Sequence, residues 1–143
     1  MTMNITISES SFIKTLRPLH DDAWLKWLAP EDLASLLERY WGAVAELCPG
    51  AYGEPKKSLL FKTAGVSVMH AIFPNVVAHL VSTGSDIRSI SKEKFKEVLS
   101  ELSDLSDSFW SSENEDGAKR FLGEAGYRQL ATKWQHELPR PVS

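Results

Sequence analysis

The chain has 143 residues, 43% of them hydrophobic and 24% charged, with a formal net charge of -3. That length fits one domain and that composition an ordinary globular protein, while the acidic balance excludes tight, sequence-independent nucleic-acid binding driven by a general basic excess. The single cysteine, Cys48, excludes an internal disulfide, cannot build a structural zinc site by itself, and fits a reducing cytoplasm.

The start, Met1 to Phe12, lacks the basic opening and apolar run of a signal peptide. Residues 1–10 are polar with β-leaning Ile5, Thr6 and Ile7, and read as a loose arm or one short strand. Asp21 and Asp22 can cap a short helix carrying Trp24, Trp27 and Leu28. Pro30, Glu31 and Asp32 make a strong helix start, proline in the first turn and acids at the positive dipole end. Leu33, Leu36, Leu37, Tyr40, Val44 and Leu47 follow as one apolar stripe at helical spacing, ended by Pro49 and Gly50.

The next segment, KSLLFKTAGVSVMHAIFPN, is the most apolar of the chain. The zone from Leu59 to Val81 has transmembrane length, but Lys62, His70, Pro74, Asn75 and His79 are costly in a bilayer or interrupt a helix, so no membrane association is expected. Instead, Ser58 is expected to cap a helix running to Phe73, where Pro74 forces a kink or restart. Being apolar nearly all round, that helix belongs at the centre of the domain. Gly65 in its middle implies a close neighbour or a bend, because glycine costs about 1 kcal/mol against alanine in a helix.

Ser91 opens another helix, with Ile90 and Phe95 as a hydrophobic staple and Phe95, Val98, Leu99, Leu102 and Leu105 at helical spacing. The final helix, Glu124 to Leu138, carries Tyr127, Leu130, Ala131, Trp134 and Leu138, and Pro139 and Pro141 stop it. The expected fold is all-α: a single domain over 1–143, five or six helices around a central apolar helix at about 58–73, with residues 139–143 a loose tail.

Chemical signatures are sparse. His70 and His79 stand nine residues apart, on opposite faces of an unbroken helix, and no His-x-x-x-His, Glu-x-x-His or Cys-x-x-Cys spacing occurs. No metal, cofactor or catalytic residue is therefore expected, and the histidines read as hydrogen-bonded and half-buried. Cys48 at a helix C-terminus, where the dipole disfavours a thiolate, reads as a small buried residue. The Gly123–Gly126 pair reads as a turn between helices, and the acidic run 111–116 as a solvated loop without calcium-loop spacing. Lys92, Lys94 and Lys96, alternating with Glu93 and Glu97, look like an exposed helix face. Lys56, Lys57 and Lys62, with Arg88 near, form the one local positive cluster and the candidate anion or nucleic-acid contact. Trp24 and Trp27 lie outside the main helical pattern and are the candidate partner interface, tryptophan being enriched at binding hot spots.

The runs Leu36-Leu37-Glu38-Arg39-Tyr40-Trp41 and Ser58-Leu59-Leu60-Phe61-Lys62-Thr63-Ala64-Gly65-Val66, with the later Phe109-Trp110, resemble the C-terminal helical part of DGQHR-domain proteins. Those include the DndB-like proteins encoded beside DNA phosphorothioate modification genes. The resemblance covers roughly residues 33–138. The Asp-Gly-Gln-His-Arg motif itself is absent, Asp116-Gly117-Ala118 being no substitute, so no functional residue of the family carries over. The resemblance implies a non-enzymatic helical module in bacterial DNA modification or phage defence, binding a protein partner or, weakly, nucleic acid. The alternatives are an immunity-type inhibitor and a ligand-binding bundle with a pocket around Gly65, His70 and Trp110.

Overall fold

Proline and acid placement start the long helices, and burial decides where they run. The computed structural model describes residues 15–22, 25–102, 104–121 and 123–142. Among these the chain is helical without a strand, as its periodicity predicts; the arm or strand expected at 1–10 lies outside them. The helices are α1 (Arg17–Asp21), α2 (Pro30–Leu47), α3 (Pro49–Gly53), α4 (Thr63–Ser82), α5 (Lys92–Leu99), α6 (Asp107–Trp110) and α7 (Glu124–Glu137). Tight 3-10 turns stand at Leu25–Trp27, Pro55–Lys57 and Ala118–Phe121.

Helix α2 buries Leu36, Tyr40, Trp41 and Val44 and half-buries Leu33, Leu37 and Leu47, so the stripe is its core face. Pro49 and Gly50 end it, but at a corner rather than a loop. Pro49 opens α3 directly, and the Asp107 carboxylate accepts the Ala51 N–H at 3.0 Å to satisfy that helix start.

The central helix departs from expectation at both ends. It begins at Thr63, not Ser58, and runs through Pro74 to Ser82. Ser58 makes only a local turn, its Oγ accepting the Leu60 N–H at 3.1 Å, and it pairs with Ser111 in an isolated antiparallel bridge. The Leu59 N–H donates to the Trp110 carbonyl at 2.7 Å and the Ser112 N–H to the Lys57 carbonyl at 2.9 Å, so this joint is held in extended form. Pro74 removes one helical hydrogen bond, a cost of about 3 kcal/mol in an isolated helix. Val66, Val68, Met69, Ile72, Phe73, Val76, Val77 and Leu80 are all buried, and burying each such side chain contributes roughly 1.5–3 kcal/mol. Burial on both sides of the proline therefore outweighs the lost bond. From α7, Gln135 Nε2 donates to the Ala71 carbonyl at 3.3 Å and to Asn75 Oδ1 at 3.2 Å, bracing the turn around the proline.

Gly65 marks a close approach, as its cost implied. The neighbour is the chain's own preceding turn: a Cβ at Gly65 would fall inside van der Waals contact of the Leu59 and Leu60 carbonyls. Helix α5 is capped as expected, Ser91 Oγ accepting the Lys94 N–H at 3.2 Å, with Ile90 and Phe95 buried. It stops at Leu99, so Leu102 and Leu105 reach the core from the loop beyond it rather than from helical turns.

Helix α5 packs along α2, and α7 and α1 pack on α4. Tyr40 is the hub of one aromatic cluster, 4.7 Å from Phe73 and 5.5 Å from Phe95, and donates its hydroxyl to the Met69 carbonyl at 2.7 Å. Phe109, Trp110 and Trp134 form a second cluster where α6 meets α7.

Candidate interaction surface

Leu25–Trp27 form a tight 3-10 turn. Asp22 caps it, its Oδ1 accepting the Leu25 N–H and its carbonyl the Lys26 N–H, both at 3.1 Å. Leu25 is 1% exposed and anchors the turn in the core, whereas Trp27 is 80% exposed. The Lys26 Nζ lies 5.4 Å from the centroid of the Trp27 ring, within cation–π range. Trp24, the other half of the candidate interface, lies outside the described residues. An indole held largely in water on an anchored turn is an exposed apolar surface.

Beside this turn runs a groove of about 320 Å³ with Asp22 on its rim. Pro74, Ala78, Leu138, Pro139 and Pro141 form its apolar part, and Asn75, Gln135 and Arg140 its polar edge. One wall is the tail that the sequence leaves loose. His79 Nδ1 donates to the Arg140 carbonyl at 2.9 Å and the Val142 N–H donates to Ser82 Oγ at 2.8 Å, which binds the tail to the C-terminal half of α4. Sequence reasoning missed this groove because its prolines lie far apart in the chain and signal only helix breaks.

The lysine cluster is looser than its spacing implies. Lys56 and Lys57 are exposed on the 3-10 turn, and Lys62 is the N-cap residue of α4 rather than a residue one turn inside it. Lys57 pairs with Glu54 at 3.6 Å, whereas Lys56 and Lys62 join no ion pair among the described residues. Arg88 is engaged elsewhere, 3.9 Å from Asp32 at the start of α2. The Leu59 and Leu60 carbonyls, folded over Gly65, put partial negative charge beside the first turn of α4 where an anion would dock. On α5, Lys92 and Lys96 both reach Glu46 of α2, at 2.6 and 3.5 Å, so this face is cross-linked to its neighbour rather than simply solvated.

His70 is fully buried, not half-buried. Trp41 Nε1 donates to its Nε2 at 3.0 Å, so the neutral ring must carry its proton on Nδ1, which donates to Thr15 Oγ1 at 2.9 Å. Burial pushes its pKa down to about 4. Gly65 and Trp110 do share a small apolar slot with Tyr127 and Leu130, but its volume of about 10 Å³ holds no more than one water, and His70 does not line it. The buried indole N–H groups of Trp110 and Trp134 meet no acceptor among the described residues. Burial, with the Asp107 carboxylate, pushes the Cys48 thiol up to about 12, far from a reactive thiolate. The described residues hold no group of His, Cys, Asp and Glu suited to a metal ion. Helix α4 is long and apolar enough to cross a membrane by length and composition, and 56% of its most apolar 18-residue window is buried in the fold. No family model, curated protein or solved structure matches the chain.

Proposed function

We propose that the chain is a non-enzymatic, cytoplasmic helical binding module, similar to the C-terminal part of DGQHR-domain proteins, acting in bacterial DNA modification or phage defence through a protein partner. The observation that carries this reading is Trp27, four-fifths exposed on a turn that Leu25 fixes to the core. A rigidly presented indole loses little conformational entropy on docking and is the commonest kind of interface hot spot. Two further observations support it. The runs carrying the resemblance touch one another, Trp41 lying 6.0 Å from Phe61 and Leu59 bonding to Trp110, as a shared packing unit requires. The Cys48 thiol is held protonated and His70 is sealed in the core, which suits a binding role rather than a chemical one.

Affinity capture from the native host with wild type and Trp27→Ser tests the reading. Recovery of a DNA-processing protein by wild type, reduced at least tenfold in the variant, is the expected result. A toxin as the captured protein would favour an immunity-type inhibitor. Equal recovery of the same proteins by both chains would remove the Trp27 face from the account.

A further inference from the structure

Leu138 is buried and ends α7 with an extended backbone, φ -68° and ψ 147°. Pro139 and Pro141 follow with φ fixed by their rings, so the chain cannot resume a helix there. It is instead bonded to the C-terminal half of α4, where His79 Nδ1 donates to the Arg140 carbonyl at 2.9 Å and the Val142 N–H donates to Ser82 Oγ at 2.8 Å. The Ser82 hydroxyl is engaged on both sides, since it also donates to the His79 carbonyl at 2.6 Å. His79 and Ser82 stand three residues apart and so share one face of the helix. We propose that residues 139–142 form a strap that closes over this face and opens as a unit without unfolding the domain, with the His79 imidazole and the Ser82 hydroxyl as its two latches.

Beyond its root the strap buries little. Leu138 is 3% exposed, whereas Arg140 and Pro141 are exposed and Val142 is 60% exposed. Hydrogen bonds therefore carry the closure, and both latches lie open to solvent. Segments with few buried contacts and exposed hydrogen bonds open locally, well below the free energy of global unfolding. One such bond shifts an equilibrium by about two- to tenfold, so the pair leaves the strap open on the order of 1–20% of the time. The prolines on either side of Arg140 stiffen the segment, so that freeing one latch loosens the other. Opening has a consequence for the groove of about 320 Å³. Pro139, Arg140 and Pro141 are part of its lining, so the groove exists only while the strap is closed. The strap decides whether this side of α4 offers a walled groove or an open surface around Pro74 and Ala78.

Amide hydrogen exchange followed by NMR tests this, with the Val142 N–H as the reporter of the closed strap. In the wild type that N–H is expected to exchange several-fold more slowly than in a free peptide, yet far faster than amides in the middle of α4. Low urea should accelerate exchange in α4 and leave that of Val142 unchanged, since opening the strap exposes little surface. Ser82→Ala removes the acceptor of the Val142 N–H and is expected to abolish its protection. His79→Ala leaves that acceptor in place, so the matching rise in Val142 exchange expected there reports release of the strap as a unit. Both variants should keep the wild-type circular dichroism spectrum and the wild-type exchange in α4. A wild-type Val142 that exchanges like a free peptide overturns the inference, as does one that exchanges in step with α4. Val142 exchange unmoved by His79→Ala overturns it too, because the two bonds then break independently.

Discussion

His70 shows how one buried side chain sets a property of the whole domain. Its neutral ring accepts from Trp41 and donates to Thr15, and a second proton would turn Nε2 into a donor facing the Trp41 N–H donor. In the unfolded chain the ring titrates near the ordinary 6.5, in the folded one near 4. Between those values the unfolded state binds more protons, so this contribution is complete above about pH 6.5, falls as pH drops and levels off below about pH 4. The gap is worth about 3 kcal/mol at 1.36 kcal/mol per unit. Urea midpoints of wild type measured from pH 8 to 4 should show this loss over and above that of His70→Gln. Parallel pH profiles for the two proteins would mean that the ring does not stay neutral in the fold.

Between residue and fold, the joint into α4 is the most constrained element. The Ser58–Ser111 bridge turns the chain back so that the Leu59 and Leu60 carbonyls lie over Gly65, and only a residue without a Cβ fits beneath them. Gly65→Ala gains about 1 kcal/mol of helix propensity. It must also displace backbone that the Trp110 carbonyl and the Ser112 N–H hold in place, and overpacking of that kind costs roughly 1–3 kcal/mol. The expected outcome is a net fall in thermal midpoint for Gly65→Ala and a larger one for Gly65→Leu. A midpoint unchanged or raised in Gly65→Ala would show that the turn can lift away. The same element explains why Pro74 fails to end the helix: the local rule acts on one hydrogen bond, whereas side chains buried before and after the proline hold the helix on both sides of it.

Across the whole molecule, charge limits what the chain can bind. With a net charge of -3, and with Lys57 already paired, Lys56 and Lys62 are what the cluster can offer a phosphate backbone. Duplex binding is expected to be undetectable near physiological salt, and any binding at low salt should show a log–log salt slope between about -2 and -3. Anisotropy titrations at several salt concentrations measure this; a steeper slope would reveal further cationic contacts and restore nucleic acid as a partner. The sequence by itself determined the all-α class, the α2 stripe, the Ser91 cap, the extent of α7 and the central place of α4, because these follow from short-range periodicity and capping. It also singled out Trp27, through its position outside the helical pattern. The tertiary structure alone decided the rest: the continuity of α4 through Pro74, the burial of Leu102 and Leu105 from a loop, the pairing of Trp41 with His70, and the groove that Pro74 shares with Pro139 and Pro141. Each of these depends on which distant segments meet, and the free energy of burial that settles it is spread over many side chains, none of which records its partner in the local pattern.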